Sequence, residues 1–217
     1  MTKQKWMLMA SVAILGLFTA CIEDEDEPTS TEITITHSSR GAFATDAALA
    51  VIGGDARADD YELITYGISG QVISIYAPYF SFNLAGQEGT VTNAILRIYA
   101  GKYNSPDALE TVQFNEVTTD SEDLKTAADN NMINIDLGDG EVYGTVEISA
   151  ADDDQYVEVT LNAAAIQAIN SKMGMGIWSV GGSLLTAATS PDHSINEVFN
   201  FNDSPTPPDT ELVLVVE

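Results

Sequence analysis

Residues 79–101, YFSFNLAGQEGTVTNAILRIYAG, constrain the fold more than any other stretch of the chain. Phe80, Phe82 and Leu84 alternate with Tyr79, Ser81 and Asn83, the period-2 pattern of a strand that buries one face. Residues 92–100 repeat the pattern, with Ala94, Leu96 and Ile98 on one side and Ile95, Arg97 and Tyr99 on the other. Between them Gly86 and Gly89 frame Gln87 and Glu88. Glycine reaches positive φ at little steric cost, so a short turn is expected there. The inward residues of both strands are read as core.

The rest of the chain supplies more short strands punctuated by turn signals, the spacing of a sandwich or barrel. Expected strands are residues 33–36, 61–66, 71–77, 111–118, 141–149, 155–161, 177–184, 197–201 and 210–216. Pro78 lacks an N–H and is expected to break the ladder, as a strand start or an edge. Residues 41–58 are rich in small side chains and show no assignable period. Val142, Val146 and Ile148 share one face of their strand, as do Val157, Val159 and Leu161. The run LVLVV near the C-terminus is almost continuously apolar and belongs in the middle of a sheet. Thr119 and Glu122 have capping-box spacing for a short helix running to Ala128. Asn162 caps a second helix over residues 163–173, with Ile166, Ile169 and Met173 on its stripe and Gly174 as its stop. Residues 132–137 lead into a turn at Gly138, Asp139 and Gly140. The sum is an all-β, antiparallel β-sandwich with one or two short helices in its connections. At 217 residues, one domain over residues 33–217 is the expectation.

Residues 1–20 stand outside that domain. Lys3 and Lys5 precede an apolar run over residues 6–18, too short to span a membrane and suited to a signal peptide. The segment LFTAC resembles the lipobox of bacterial lipoproteins and makes Cys21, the only cysteine, the expected lipidation site. With no second cysteine there is no disulfide within the chain. Residues 21–32 then form an acidic tether, with five consecutive acids from Glu23 to Glu27 and no core residue. Its reach is roughly 18 Å as a flexible coil. The expected setting is the bacterial cell envelope, lipid-anchored at the outer membrane.

The charge excludes one class of partner. There are 33 acidic residues against 8 basic ones, a formal charge of −25. Phosphate backbones need Lys and Arg, so nucleic acid is not a ligand. Excess charge of this kind speaks first to solubility, and second to divalent cations.

The runs already quoted, with SPDALETVQFNEVTT, DLGDGEVYGTVEISAAD, VEVTLNAAAIQAIN, IWSVGGSL and VFNFND followed by TELVLV, resemble one family. These are exported bacterial domains of unassigned function found among proteins with a PEP-CTERM sorting tail. The pair at residues 79–101 resembles, more loosely, the DNRLRE-type β-sandwich, which is related to carbohydrate-binding modules. The likeness covers about residues 70–216 and its motifs are structural rather than catalytic. It implies a jelly-roll-like sandwich in an extracellular or envelope setting. The chain departs from it in lacking the PEP-CTERM tail, with its anchor at the opposite end.

Catalytic patterns are thin. His37 and His193 are the only histidines, there is no G-x-S-x-G, and Ser183 in GGSL lacks a nucleophile elbow. One cysteine and two distant histidines cannot build a zinc site. Nothing singles out two carboxylates in apolar surroundings, as glycoside hydrolysis requires. Calcium is the one metal worth carrying, through Asp136, Asp139 and Glu141 or through Asp152, Asp153 and Asp154, with Asp59 and Asp60 a further pair. Against it stands the plain reading of solvated turns, where acids bond locally. Sugar binding calls for exposed aromatics, and Tyr61, Tyr66, Tyr76, Tyr79, Tyr99, Tyr103 and Trp178 are the candidates. Tyr79 and Tyr99 both lie opposite the core phase and are expected to share an outer face as ligand contacts. The expected function is a non-catalytic surface binding or adhesion module with a glycan or envelope partner. The alternatives are a carbohydrate-processing hydrolase with an acidic site and a purely structural envelope component.

Overall fold

The structure, a computed structural model, describes residues 29–46, 57–58, 61, 63–68, 71–126, 131–185, 195–200 and 208–217. In chain order they form β1 (Thr31–Thr36), β2 (Ser39–Asp46), β3 (Arg57–Ala58), β4 (Leu63–Ile68), β5 (Gln71–Asn83) and β6 (Val91–Ala100). Next come β7 (Lys102–Asn104), β8 (Glu110–Glu116), α1 (Ser121–Thr126), α2 (Asn131–Asp139) and β9 (Val142–Ile148). The chain continues with β10 (Gln155–Thr160), α3 (Ala163–Lys172), β11 (Ile177–Leu184), β12 (Ile195–Asn200) and β13 (Glu211–Val216). A small sheet has the order β1–β13–β6–β10, which puts the apolar β13 in the interior as expected. A large sheet runs β7–β12–β4–β5–β11–β8–β9, with β2 added on β5 and β3 on β2. The ladders are antiparallel, and the protein is an all-β sandwich.

Alternation decides the core. Phe80 and Phe82 of β5, with Leu84 just beyond it, face Leu96 and Ile98 of β6, Val159 of β10 and Leu212 and Leu214 of β13. Each such side chain contributes about 1.5–3 kcal/mol by leaving water. A second cluster lies on the outer face of the large sheet, where Phe43, Ala77 and Tyr79 pack against Leu124 of α1 and Ile133 and Leu137 of α2. Gly181 makes that approach feasible: a Cβ there would stand 2.3 Å from the Leu137 carbonyl oxygen. Buried Asn134 of α2 donates to the Phe43 and Ile75 carbonyls, fixing the helix to the sheet.

The strands of residues 79–101 are present, but they do not pair with each other. β5 belongs to the large sheet and β6 to the small one. Gly86 and Gly89 do take positive φ, +81° and +96°, yet the turn carries the chain across the sandwich. α3 seals this end, with Asn170 both donating to and accepting from the Val91 backbone. Strands facing each other across a core point their outer residues in opposite directions. Tyr79 and Tyr99 therefore do not share a face.

Other expectations are corrected locally. β5 runs unbroken through Pro78, because pairing with β4 ends at Tyr76 and pairing with β11 begins at Tyr79. The missing N–H falls in that gap. Residues 131–139 are helical, so the turn expected at residues 138–140 is pushed to its end. Ile133 and Leu137, four apart, are buried while Ile135 is exposed. In β9 the register shifts between its pairing with Phe114 and with Asn115. This bulge turns Tyr143 inward and leaves Val142 exposed, departing from the expected face at this end only, since Ile148 is buried and Val146 packs on the core as expected. α1 is capped by Asp120, which accepts from the Glu122 N–H, and not by Thr119. For α3 the Asn162 cap is as expected, accepting from the Ala165 N–H at 3.1 Å.

Candidate functional site

β8 pairs with β11 only from Val180 to Leu184. Past Glu116 the chain leaves the ladder and turns through residues 117–120 into α1. β11 begins three residues before that ladder, so Ile177, Trp178 and Ser179 have β5 on one side and no strand on the other. The space left is an open cleft of about 570 Å³. Residues 116–121 and Tyr143 line one part of it, and Ala168, Ser171 and Lys172 at the end of α3 another.

Trp178 lies at its base, 3% exposed. Phe82 and Tyr143 stack on it with ring centroids at 5.9 and 6.0 Å. The indole N–H has no acceptor among the described residues. A buried donor left unpaired costs about 1–3 kcal/mol. The Tyr143 phenol is pushed up to about 12, mainly by burial and further by the Glu116 and Glu141 carboxylates. It stays neutral, and a donor, at any ordinary pH. Among the described ion pairs neither Glu116 nor Lys172 takes part. Both are left able to bond a ligand.

The wall at residues 118–120 is fixed from behind by Asp136. Its carboxylate accepts from the Thr118 hydroxyl (2.6 Å) and N–H (3.0 Å) and from the Thr119 hydroxyl (2.6 Å) and N–H (2.8 Å). Burial alone would raise the Asp136 pKa, but these donors outweigh it and hold the group below the usual carboxylate value. A second cavity of about 580 Å³ is lined by residues 118–120 together with Asp123, Met132, Ile133 and Asp136.

The acidic residues singled out in the sequence do not converge. Asp136 serves the threonines, while Asp139 and Glu141 are exposed. Asp152 accepts from the Ser149 N–H at 2.8 Å in a reciprocal cap. Asp153 accepts from the Tyr103 N–H, and Asp154 pairs with Lys102 at 2.9 Å. Among the described residues no group of three or more His, Cys, Asp or Glu is placed to hold a metal. Cys21, Asp59, Asp60 and His193 lie outside the described residues.

Of the aromatic candidates, Tyr79 is buried beneath the helices, 5.8 Å from the Phe43 ring. Tyr99 lies half-buried on the outer face of the small sheet, edge-on to Tyr156 at 5.5 Å. Tyr61 is fully buried and donates to the Tyr99 carbonyl. Trp178 reaches the cleft, joined by Tyr143, which alternation had placed on the wrong face. Ser183 accepts from Asn115, and His37 Nδ1 accepts from the Thr210 N–H, so these two residues serve different partners.

No family model and no curated protein matches the chain, so the resemblance to PEP-CTERM-associated and DNRLRE-type domains gains no support there. Among solved structures the chain is similar to the K1 cleaved adhesin domain of Lys-gingipain from Porphyromonas gingivalis W83. The identity is 10% and the TM-score 0.34, over 84% of this chain and 97% of that one. A likeness of that size carries no argument about function.

Proposed function

We propose that the chain is a non-catalytic binding module of the bacterial cell envelope, lipid-anchored through Cys21 at the outer membrane, whose cleft takes a neutral carbohydrate. The observation that carries this reading is the unpartnered indole N–H of Trp178 beside a polar cleft. Phe82 and Tyr143 stack on the indole and its N–H is buried, so a neighbouring side chain has to shift before a sugar oxygen can accept from it. A sugar offers hydroxyl and ring oxygens to that N–H and to Lys172, and hydroxyl donors to Glu116. The acidic surface disfavours uronic or sulfated glycans. Hydrolysis would need two carboxylates free to act. Asp120 is already committed to capping α1, which favours binding over cleavage.

The test is a glycan array probed with the full chain carrying Cys21→Ser, followed by calorimetric titration of whatever binds. Trp178→Phe keeps an aromatic ring but removes the donor together with part of the indole's volume. It should weaken binding about tenfold, the worth of one hydrogen bond, while the cavity it leaves lowers the melting temperature, so the titration is run on protein shown to be folded. An array without a single neutral glycan bound, or equal affinity for the two proteins, overturns the reading.

A further inference from the structure

We infer that the sugar recognised by the cleft carries an acetamido group, held by the open edge of β11 at Ile177; this rests on the cleft being a sugar site. In an antiparallel sheet alternate residues of a strand bond to its two neighbours in turn. The Gly176 carbonyl accepts from the Leu84 N–H at 2.8 Å. Residues 176, 178 and 180 therefore bond toward β5, and residues 177, 179 and 181 turn to the other side. There Gly181 meets Asn115 of β8, and the ladder ends at the pair of Val180 with Glu116. Ile177 lies beyond that end, half-buried, and lines the cleft. Among the described residues no hydrogen bond reaches its N–H or its C=O.

What is missing beside Ile177 is a strand, and a strand would have supplied peptide groups. Neighbouring strands lie about 4.8 Å apart, so the vacated place has the width of a peptide plane. An acetamido group is that same planar unit, a C=O and an N–H trans across a partial double bond. Its carbonyl accepts from the Ile177 N–H. Its own N–H, pointing the other way, is left for the Glu116 carboxylate or the Tyr143 hydroxyl, both of which line the cleft. Its methyl has an apolar neighbour in Ala168, which lines the same cleft and packs on the core. A hydroxyl reaches the same N–H but brings neither the second half of the peptide unit nor the methyl. The acetamido group is also uncharged, as suits a chain with a formal charge of −25.

The test uses the full chain with Cys21→Ser and two β-1,4-linked tetramers, of N-acetylglucosamine and of glucose, which differ only in carrying acetamido or hydroxyl at C2. Calorimetric titration should show the acetamido tetramer binding about tenfold more tightly. Solvent exchange of the Ile177 amide, followed by nuclear magnetic resonance, should slow about tenfold when that tetramer is bound. Ile177→Pro removes this N–H at an edge position, where proline is tolerated. It should bring the acetamido tetramer down to the affinity of the glucose tetramer and leave the latter unchanged. Equal affinity of the two tetramers, an Ile177 amide that exchanges as fast with ligand as without, or an Ile177→Pro loss shared by both tetramers sinks the acetamido contact while the cleft reading stands. Binding of both tetramers that Trp178→Phe does not weaken sinks the reading of Trp178 as a sugar donor instead. Failure of both tetramers to bind sinks the acetamido contact, and an array without a single neutral glycan bound sinks both.

Discussion

Asp136→Asn isolates the contact that shapes the cleft wall. The aspartate accepts from two hydroxyls and two backbone N–H groups, and hydrogen bonds to an ionised group are roughly twice as strong as neutral ones. Asparagine keeps one acceptor oxygen and turns the other into a donor. That change faces the Thr119 N–H and hydroxyl, and the Thr118 N–H, with an amide where they had an oxygen. Asp136 is only half-buried, so water replaces part of the loss. The net cost should be about 1–3 kcal/mol, below the sum of the individual bonds. Urea unfolding at pH 7 would show a lower midpoint with an unchanged slope. The pH dependence fixes the cause. The folded pKa lies below the unfolded value of about 3.9, so the contribution is present above that pH and is lost as pH falls through the folded value. The gap between wild type and variant should begin to narrow below about pH 4 and close only as pH falls through the folded value. A cost under about 0.5 kcal/mol at pH 7, or a gap that persists undiminished in acid, would refute the reasoning.

Two further outcomes follow from packing and from burial. Gly181→Ala drives a methyl into the Leu137 backbone, at 2.3 Å from its oxygen. It should cost about 1–3 kcal/mol or more by forcing α2 off the sheet, whereas Gly176→Ala, with nothing within 4 Å, is the silent control in the same thermal melt. The Tyr143 phenol should ionise near 12 rather than at the ordinary 10.0. Its neutral form is favoured by folding, so the stability it contributes is complete below pH 10 and falls as pH climbs toward about 12. Tyr143→Phe should delete that late step from an ultraviolet titration, and a variant that instead loses a step near 10 speaks against the buried placement.

Period-2 alternation reports which side of a strand leaves water, and that is a local property. Phe80, Phe82, Leu96, Ile98, Val157, Val159, Leu212 and Leu214 were therefore legible as core. Which strand lies beside which is not local. The pattern of residues 79–101 is the same whether the second strand pairs with the first or faces it across the core, and the difference moves Tyr79 from surface to interior. The helix at residues 131–139 was hidden because Ile133, Ile135 and Leu137 also alternate. Only contact with the outer face of the large sheet decides that Ile133 and Leu137 go in and Ile135 stays out. Thr119 looked like a cap because its oxygen is one position from that of Asp120. The competing claim on it comes from Asp136, 17 residues away. Trp178 could be named as a candidate from composition alone, but its partner Tyr143 could not, since a bulge is visible only against the strand it interrupts.

Two departures from local rules fall together at the cleft and are mechanically linked, although β4, β12 and β13 carry register shifts of their own. β8 stops pairing at Glu116 while β11 continues, and the β9 bulge falls opposite Phe114 and Asn115, immediately before that stop. Had β9 kept its register, Val142 would point inward and Tyr143 outward, and Trp178 would lose one of its two stacking partners. Had β8 kept its ladder, it would have run alongside Trp178 and Ser179 and filled the cleft with paired backbone. Neither break is required by the core, which the regular parts of both sheets already close. Bulges re-aim side chains where a site needs them, and sequences tend to break local consistency at functional positions rather than at random. The same reasoning counts against the face carrying Tyr99. There the alternation is obeyed, Arg97 bridges Glu158 and Glu211 at 2.9 Å each, and the Tyr99 and Tyr156 hydroxyls already donate to Asp154 and to the Asp209 carbonyl. A surface whose polar groups answer one another has little left to offer a ligand. In the cleft the Trp178 N–H has no acceptor among the described residues, and Glu116 and Lys172 join none of the described ion pairs.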